Sequence, residues 1–305
     1  MNEKVSAYLK VIGAMVIVGS SVVAGKIMVQ NIPIFIASEL RFLVASIILV
    51  PLLIRKEGIP SLSKKDTAIL FFQSLTGVFL FSIFMLYGLK LTTAMEAGII
   101  TSTLPAIVAL LAFFIIKEKL TRNKVIGILI AILGILILNI AGVLTEMRVG
   151  PLEILGNLLI LGAVMGEALF IILGKSVSKK VSPLAISTAV SVIGVLLFLP
   201  MAIYEFTTSN YSFGSVNDWI LISYFGIVVT VLAFLLMYQG IEKLPATTVG
   251  VLTSVLPIST VILSYFFLKE SFLYYHFIGI CLIFIAIYLT SREERLQTNK
   301  SAKIS

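Results

Sequence analysis

The sequence predicts an all-α integral membrane protein of ten transmembrane helices, arranged as two inverted five-helix repeats. Three observations predict this: an apolar composition, a succession of runs each long enough to cross a bilayer, and the duplication of one proline-broken helix. Hydrophobic residues make up 59% of the 305 and charged residues 12%, with a mean hydropathy of +1.11. An ordinary soluble domain has a far more polar composition. The net charge of +8 does not point to nucleic acid. The basic residues fall in short clusters between apolar runs, not along a stripe with interleaved aromatics.

The duplicated unit runs from about Met95 to Lys117 and again from about Thr247 to Lys269. Set 152 positions apart, Gly98, Thr101, Ser102, Leu104, Pro105 and Glu118 match Gly250, Thr253, Ser254, Leu256, Pro257 and Glu270. The register continues through Ile126, Gly127 and Ile128 against Ile278, Gly279 and Ile280. A proline inside a spanning helix frees the carbonyl one turn earlier, here that of Thr101 for Pro105 and of Thr253 for Pro257. Free carbonyls in hydrocarbon need partners, and Thr101, Ser102 and Thr103, with Thr253 and Ser254 in the copy, supply hydroxyls. Two readings stand: a kink that shapes packing, or a cavity where the two broken helices meet.

Spanning needs roughly 17 to 25 mostly apolar residues. That criterion places helices near 11–29, 34–54, 67–89, 95–116, 125–142, 153–174, 183–204, 218–241, 247–268 and 275–291. Short connections leave no room for a soluble domain. The first repeat takes residues 1–145, the second 146–291, and 292–305 form a tail. The first run is long enough to span and no small-x-small cleavage site follows it, so it is expected to be retained. With the N-terminus inside, 18 of the 23 Lys and Arg residues fall in cytoplasmic segments, leaving Lys26, Arg41, Lys90, Arg148 and Lys269 on or toward the outside. This bias predicts a multi-pass protein of the plasma or inner membrane with both termini cytoplasmic. Five helices per half is an odd number, so the second copy enters from the opposite side.

The chain resembles the drug/metabolite transporter superfamily, specifically its EamA-type ten-helix transporters. The resemblance covers nearly the whole chain. It is carried by Val18, Gly19, Ser20, Gly25 and Lys26 in the first span, by Leu40, Arg41, Phe42, Leu43 and Ala45 in the second, and by Leu104, Pro105, Glu118, Leu120 and Gly127, part of which recurs as Leu256, Pro257, Glu270 and Gly279. Where such families commonly have tryptophan before the first-span glycine, this chain has Val18. The resemblance implies a central cavity lined mainly by the first, third, fourth, sixth, eighth and ninth spans, and export of small metabolites as the common activity.

An ionisable group in a spanning segment is costly, so each one asks for a reason. Glu167 lies mid-helix beside Gly162 and Gly166, which allow close helix approach. It either binds a substrate ammonium or holds a coupling proton, or it is a structural carboxyl paired with a neighbouring helix. Glu96 opens the broken helix on one face with Ile100 and Thr103 and marks either the outer mouth of a cavity or a helix N-terminus favoured by the dipole. Lys26 either snorkels to the interface or faces a cavity, and Arg41 is expected to tie helices together, with direct substrate contact as the second reading. Glu118 and Glu270, at the exits of the duplicated helix, read as structural ion pairs or caps. Gln73, Leu80 and Tyr87 share one face of the third span, and Tyr224, Val231 and Tyr238 the corresponding face of the eighth. Candidate substrate contacts are therefore Glu167, Glu96, Ser20, Lys26, Gln73, Thr101, Ser102, Thr103, Tyr224, Thr253 and Ser254, with Pro105, Pro257, Glu118, Glu270 and Arg41 structural.

The expected function is a secondary transporter that moves a small metabolite, such as an amino acid or related amphipathic solute, by alternating access. Facilitated flow or proton coupling needs no cofactor, and no Walker-type glycine loop is present to couple ATP. An intramembrane enzyme is the rival. It lacks an HExxH arrangement, His276 is the single histidine, and Asp66 and Asp218, the only aspartates, sit at helix ends. A passive channel predicts a ring of repeated polar residues in a symmetric assembly, whereas an internal inverted repeat puts the path within one chain. Cys281 stands alone, so no disulfide framework or thiolate metal site is expected.

Overall fold

The computed structural model describes residues 3–115, 151–178, 180–209, 211 and 215–244 without interruption, and parts of 122–137 and 249–289. Seven helices among the described residues are long and apolar enough to cross a membrane. They are α1 (Glu3–Asn31), α2 (Ile34–Lys56), α3 (Lys64–Leu91), α4 (Ala94–Ile115), α5 (Pro151–Val177), α6 (Pro183–Thr208) and α7 (Val216–Lys243). A shorter apolar helix, α8 (Val255–Leu268), follows. The predicted spans 125–142 and 275–291 are described only in part, with helical backbone at 125–127 and 277–282 among their described residues, and Glu118, Gly250 and His276 lie outside the described residues.

Capping residues set the helix starts. Ser63, Thr93 and Ser182 each accept a bond from a backbone N–H three residues on, at Asp66, Glu96 and Ala185. This satisfies one of the donors that a helix N-terminus leaves open. Two longer caps cross between helices. Glu205 Oε2 accepts from the N–H groups of Phe35 and Ile36 at the start of α2, at 2.8 and 2.9 Å. Glu270 accepts from Ala94 and Met95 at the start of α4, at 2.9 and 2.7 Å. Each carboxylate also sits at the positive end of a helix dipole.

The helices of the first half pack chiefly on those of the second: α1 on α7 and α8, α2 on α6 and α7, α3 on α5. Small residues make the close approaches. A Cβ on Gly19 of α1 would lie 2.5 Å from the Leu256 carbonyl of α8, and one on Gly240 of α7 would lie 2.2 Å from Val11. Where lipid removes the hydrophobic drive between helices, backbone proximity and van der Waals contact hold them. The buried core includes Phe42 stacked on Phe198 at 5.7 Å, while Ile47, Leu196, Phe266 and Phe267 are exposed, as a lipid-facing surface requires.

Loops sort to two ends. At one end Lys243 bonds Glu3 at 2.8 Å, Ser182 donates to the Glu57 carboxylate and Lys180 lies 3.9 Å from Asp66. At the other end lie the Glu205 and Glu270 caps. The duplicated helices run antiparallel, since Glu270 beyond α8 meets the start of α4 and Thr260 packs on Gly98.

Each duplicated helix breaks one turn before its proline. In α4 the turn tightens at Ser102 and Thr103, whose N–H groups bond Ile99 and Ile100 at 3.1 and 3.0 Å. In the copy, Leu256 N–H bonds the Thr253 carbonyl at 3.0 Å. The hydroxyls are used differently from the sequence expectation. Thr101 and Ser102 both donate to Gly98 O, at 2.7 and 3.2 Å, and Thr103 donates to Ile100 O. The physical reason is the tightened turn: Ser102 N–H turns to Ile99, which leaves the Gly98 carbonyl for the two side chains.

Candidate functional site

Two adjoining cavities of about 70 and 20 Å³ lie between α1, α2, α3, α5 and α7. Both are walled by Val18, Ser21, Arg41, Phe81 and Glu167. The rest of the larger lining is almost wholly apolar, with Met15, Phe170, Ile171, Phe234 and Met237 prominent, and Leu256 of α8 borders the smaller. A water needs roughly 10 to 15 Å³ of such space, so the larger cavity has room for several waters and is smaller than a typical ligand pocket.

Local backbone geometry builds the walls. Wide, π-helical turns occupy Leu75–Leu80 in α3 and Tyr224–Leu232 in α7. Such turns shift side chains off the regular helical register and recur at functional sites. Gly77 and Gly226 lie within them, 149 positions apart. A Cβ on Gly77 would meet Phe170 at 2.4 Å, and one on Gly226 would meet Val44 at 2.6 Å.

The two charged side chains of the cavity differ in how they are held. The Arg41 guanidinium donates to Ser82 Oγ at 3.1 Å and lies 4.3 Å from the Phe42 ring centroid and 5.9 Å from that of Phe225, while its Nε has no partner. Glu167 is buried, and its Oε2 has no hydrogen-bond partner. A guanidinium and a carboxyl group, each with one buried polar atom that lacks a hydrogen-bond partner, thus border one small, largely apolar space, where an unpaired buried polar atom is costly.

The other sequence candidates are distributed around this space. Ser20 Oγ and Tyr224 Oη are joined at 2.6 Å, linking α1 to α7. Gln73 Nε2 donates to Phe170 O at 2.9 Å and to Tyr238 Oη at 3.0 Å, so it stands behind a cavity-wall residue. Lys26 is in neither lining and donates to the carbonyls of Thr92 and of Leu89, a residue that borders the smaller cavity. Glu96 is buried at the α3–α4 turn, where it receives the Thr92 hydroxyl. Thr101 and Thr103 bond their own helix, and Thr253 is buried beside the second break. Ser102 and Ser254, with Pro257, border a separate groove of about 180 Å³ that is otherwise apolar. Pro105 is the second residue of the second part of α4 (Leu104–Ile115), Glu270 is a helix cap, and Arg41 lines the cavity. The sequence reading passed over Phe170, Phe234 and Met237, because an apolar residue in an apolar chain gives no signal of its own. The described lining includes α2, through Arg41, and no residue of α4.

The EamA-like transporter family matches the chain twice, over residues 5–140 and 154–292. The chain belongs to the EamA-like transporter family. Among relatives, it is 48% identical over 291 residues to a Bacillus subtilis (strain 168) protein named as an uncharacterized transporter, YetK, covering 95% of this chain and 88% of that protein. It is 25% identical over 264 residues to a second from that organism, YyaM, with 86% of each covered. A WAT1-related chloroplastic protein of Arabidopsis thaliana is 26% identical over 215 residues, 69% of this chain and 51% of that one. A solved crystal structure shares the fold with a TM-score of 0.68 at 16% identity, covering 94% of this chain and 98% of that one. Membership in this family makes the chain a multi-pass membrane transporter of a small-molecule solute.

Proposed function

We propose that this EamA-family transporter is a secondary transporter that exports small zwitterionic, amphipathic metabolites, amino acids or related compounds, by alternating access. The observation that carries the reading is the shared cavity wall in which Arg41 and Glu167 are the two charged groups among apolar side chains. Arg41 suits a solute carboxylate, Glu167 suits an ammonium, and Phe170, Phe234 and Met237 suit an apolar substituent. The cavity volume supports a contracted state that must widen at one end to admit such a solute. The layout proposed is two inverted five-helix repeats, residues 1–145 and 146–291, followed by the tail 292–305. Antiparallel α4 and α8 support that layout. Lys10, Arg55, Lys56, Lys64, Lys65, Lys175, Lys180 and Lys243 belong to segments at the Glu3–Lys243 end, which supports placing that end, with both termini, in the cytoplasm.

Equilibrium binding in detergent tests the solute class. The zwitterion with an apolar side chain should bind, while its amine lacking the carboxylate and its N-acyl derivative lacking the ammonium should each bind at least about tenfold more weakly, the loss expected for one unpaired buried charge. Equal binding of all three would refute the two-charge assignment.

A further inference from the structure

Outside the cavity linings, two lysines are held in a similar way at opposite ends of the molecule. Lys26, near the end of α1, donates from Nζ to the carbonyls of Leu89 and Thr92, at 2.6 and 2.5 Å. Lys175, near the end of α5, donates to those of Ile241 and Leu244, at 2.6 and 2.8 Å. The lysines are 149 positions apart and both pairs of carbonyls 152 apart, so one contact has been built twice. Each lysine follows a glycine. Gly25 lies against Leu89, and a Cβ on Gly174 would press on Gln73 and Tyr238. The glycine thus lets the helix carrying the lysine come close to the one it grips.

The physical logic is that of a cation at a helix C-terminus. The last carbonyls of α3 and α7 have no intrahelical donor, and the helix dipole favours positive charge there. Both lysines are half-buried, and the Glu270, Glu96 and Glu153 carboxylates act on Lys26. Lys26 grips the turn that leads into α4, and Lys175 grips the end of α7, ahead of the second broken helix. Lys26 lies at the end of the Glu205 and Glu270 caps, and Lys175 at the end of the Glu3–Lys243 pair. The cavity lies between them.

We propose that Lys26 and Lys175 are a matched pair of gate latches, each closing one end of the solute path by tying the C-terminus of α3 or α7 to α1 or α5. With both engaged, the cavity is small, about 70 Å³. Opening toward one face requires release of one latch while the other stays made, which divides alternating access between two contacts of the same kind, a lysine on the carbonyls of a helix C-terminus. This inference rests on the alternating-access reading and adds the groups that execute it.

The test is sided labelling of a single cysteine in the cavity wall, Ser21→Cys, in a Cys281→Ser background, with a membrane-impermeant thiol reagent applied to intact cells or to inverted vesicles. Lys26→Met should raise labelling from the Lys26 end about tenfold, the loss expected for one charged hydrogen-bonded contact, and lower it from the other. Lys175→Met should do the reverse. Lys26→Gln and Lys175→Gln, which keep an uncharged amide N–H donor group, should shift labelling in the same directions by less. Equal rises from both faces, the result of general unfolding, or no change in either variant would overturn the latches. Counterflow by the parent protein separates the two levels: exchange without opposed labelling shifts removes the latches alone, and absence of exchange removes the transport reading.

Discussion

Replacing Gly19 by alanine tests the contact that joins α1 to the second broken helix. The added Cβ would lie 1.8 Å from Ser259 Oγ and 2.5 Å from the Leu256 carbonyl oxygen. The hydroxyl can rotate away, whereas the carbonyl belongs to the helix just after its break. Relief therefore requires α1 and α8 to separate by several tenths of an ångström. Separation also lengthens the 2.9 Å bond from Thr260 Oγ1 to Gly19 O. Overpacking of this kind costs about 1 to 3 kcal/mol and the bond about 1, offset by about 0.5 to 1 gained when alanine replaces glycine within a helix. The net loss is about 1 to 3 kcal/mol. The control is Gly13→Ala on the same helix, where the nearest atom to the new Cβ is Leu236 Cδ1 at 3.8 Å. It should be neutral or stabilised by up to about 1 kcal/mol. Equilibrium unfolding in mixed micelles, with increasing denaturing detergent, measures both. If Gly19→Ala proved as stable as Gly13→Ala, the close packing of α1 on the break would be refuted.

Other predictions use the same unfolding assay. Gln73→Leu removes both donors from Nε2 and leaves the Tyr238 hydroxyl and the Phe170 carbonyl short of a partner, so it should cost about 1 to 3 kcal/mol; no loss would mean that water replaces the amide. Glu270→Gln keeps one acceptor of the two facing Ala94 and Met95 and should cost about 1 kcal/mol, with unchanged stability showing that the cap contributes nothing. Outside the spans, burial, with the hydrogen bond to Asp218, pushes the Tyr211 phenol up to about 12. The folded state thus holds this proton more tightly than the unfolded one, and its contribution is complete below pH 10 and lost as pH rises toward 12. Tyrosinate absorbance in the parent and in Tyr211→Phe checks this; an identical titration in both would contradict it.

Much of the architecture was legible because membrane constraints write themselves into composition. Long apolar runs, the 152-residue repeat and the lysine-rich connections are visible without coordinates. Glu167 was legible too, since a carboxylate amid apolar residues stands out. The sequence favours Arg41 as a tie between helices over a substrate contact, and its place in the cavity wall depends on rotation of α2, which spacing alone does not fix. The wide turns at Gly77 and Gly226 were invisible because apolar residues on either side give π and α turns the same composition. Thr101, Ser102 and Thr103 offer hydroxyls at the break, and which carbonyls they serve, Gly98 and Ile100, depends on the tightened turn, which the sequence does not display. The twin lysines carried a readable signal in the Gly25–Lys26 and Gly174–Lys175 pairs, whose meaning emerged only when both sets of carbonyls came into view.

The measurement that tests the account most directly is counterflow in proteoliposomes with a panel of apolar amino acids and related amines, run with the parent protein and with Glu167→Gln at two pH values. The account predicts saturable exchange of zwitterionic solutes by the parent and at least about a tenfold loss in the variant. No exchange of any solute by the parent would contradict transport of this class. Exchange undiminished in Glu167→Gln would contradict the role given to the cavity carboxylate.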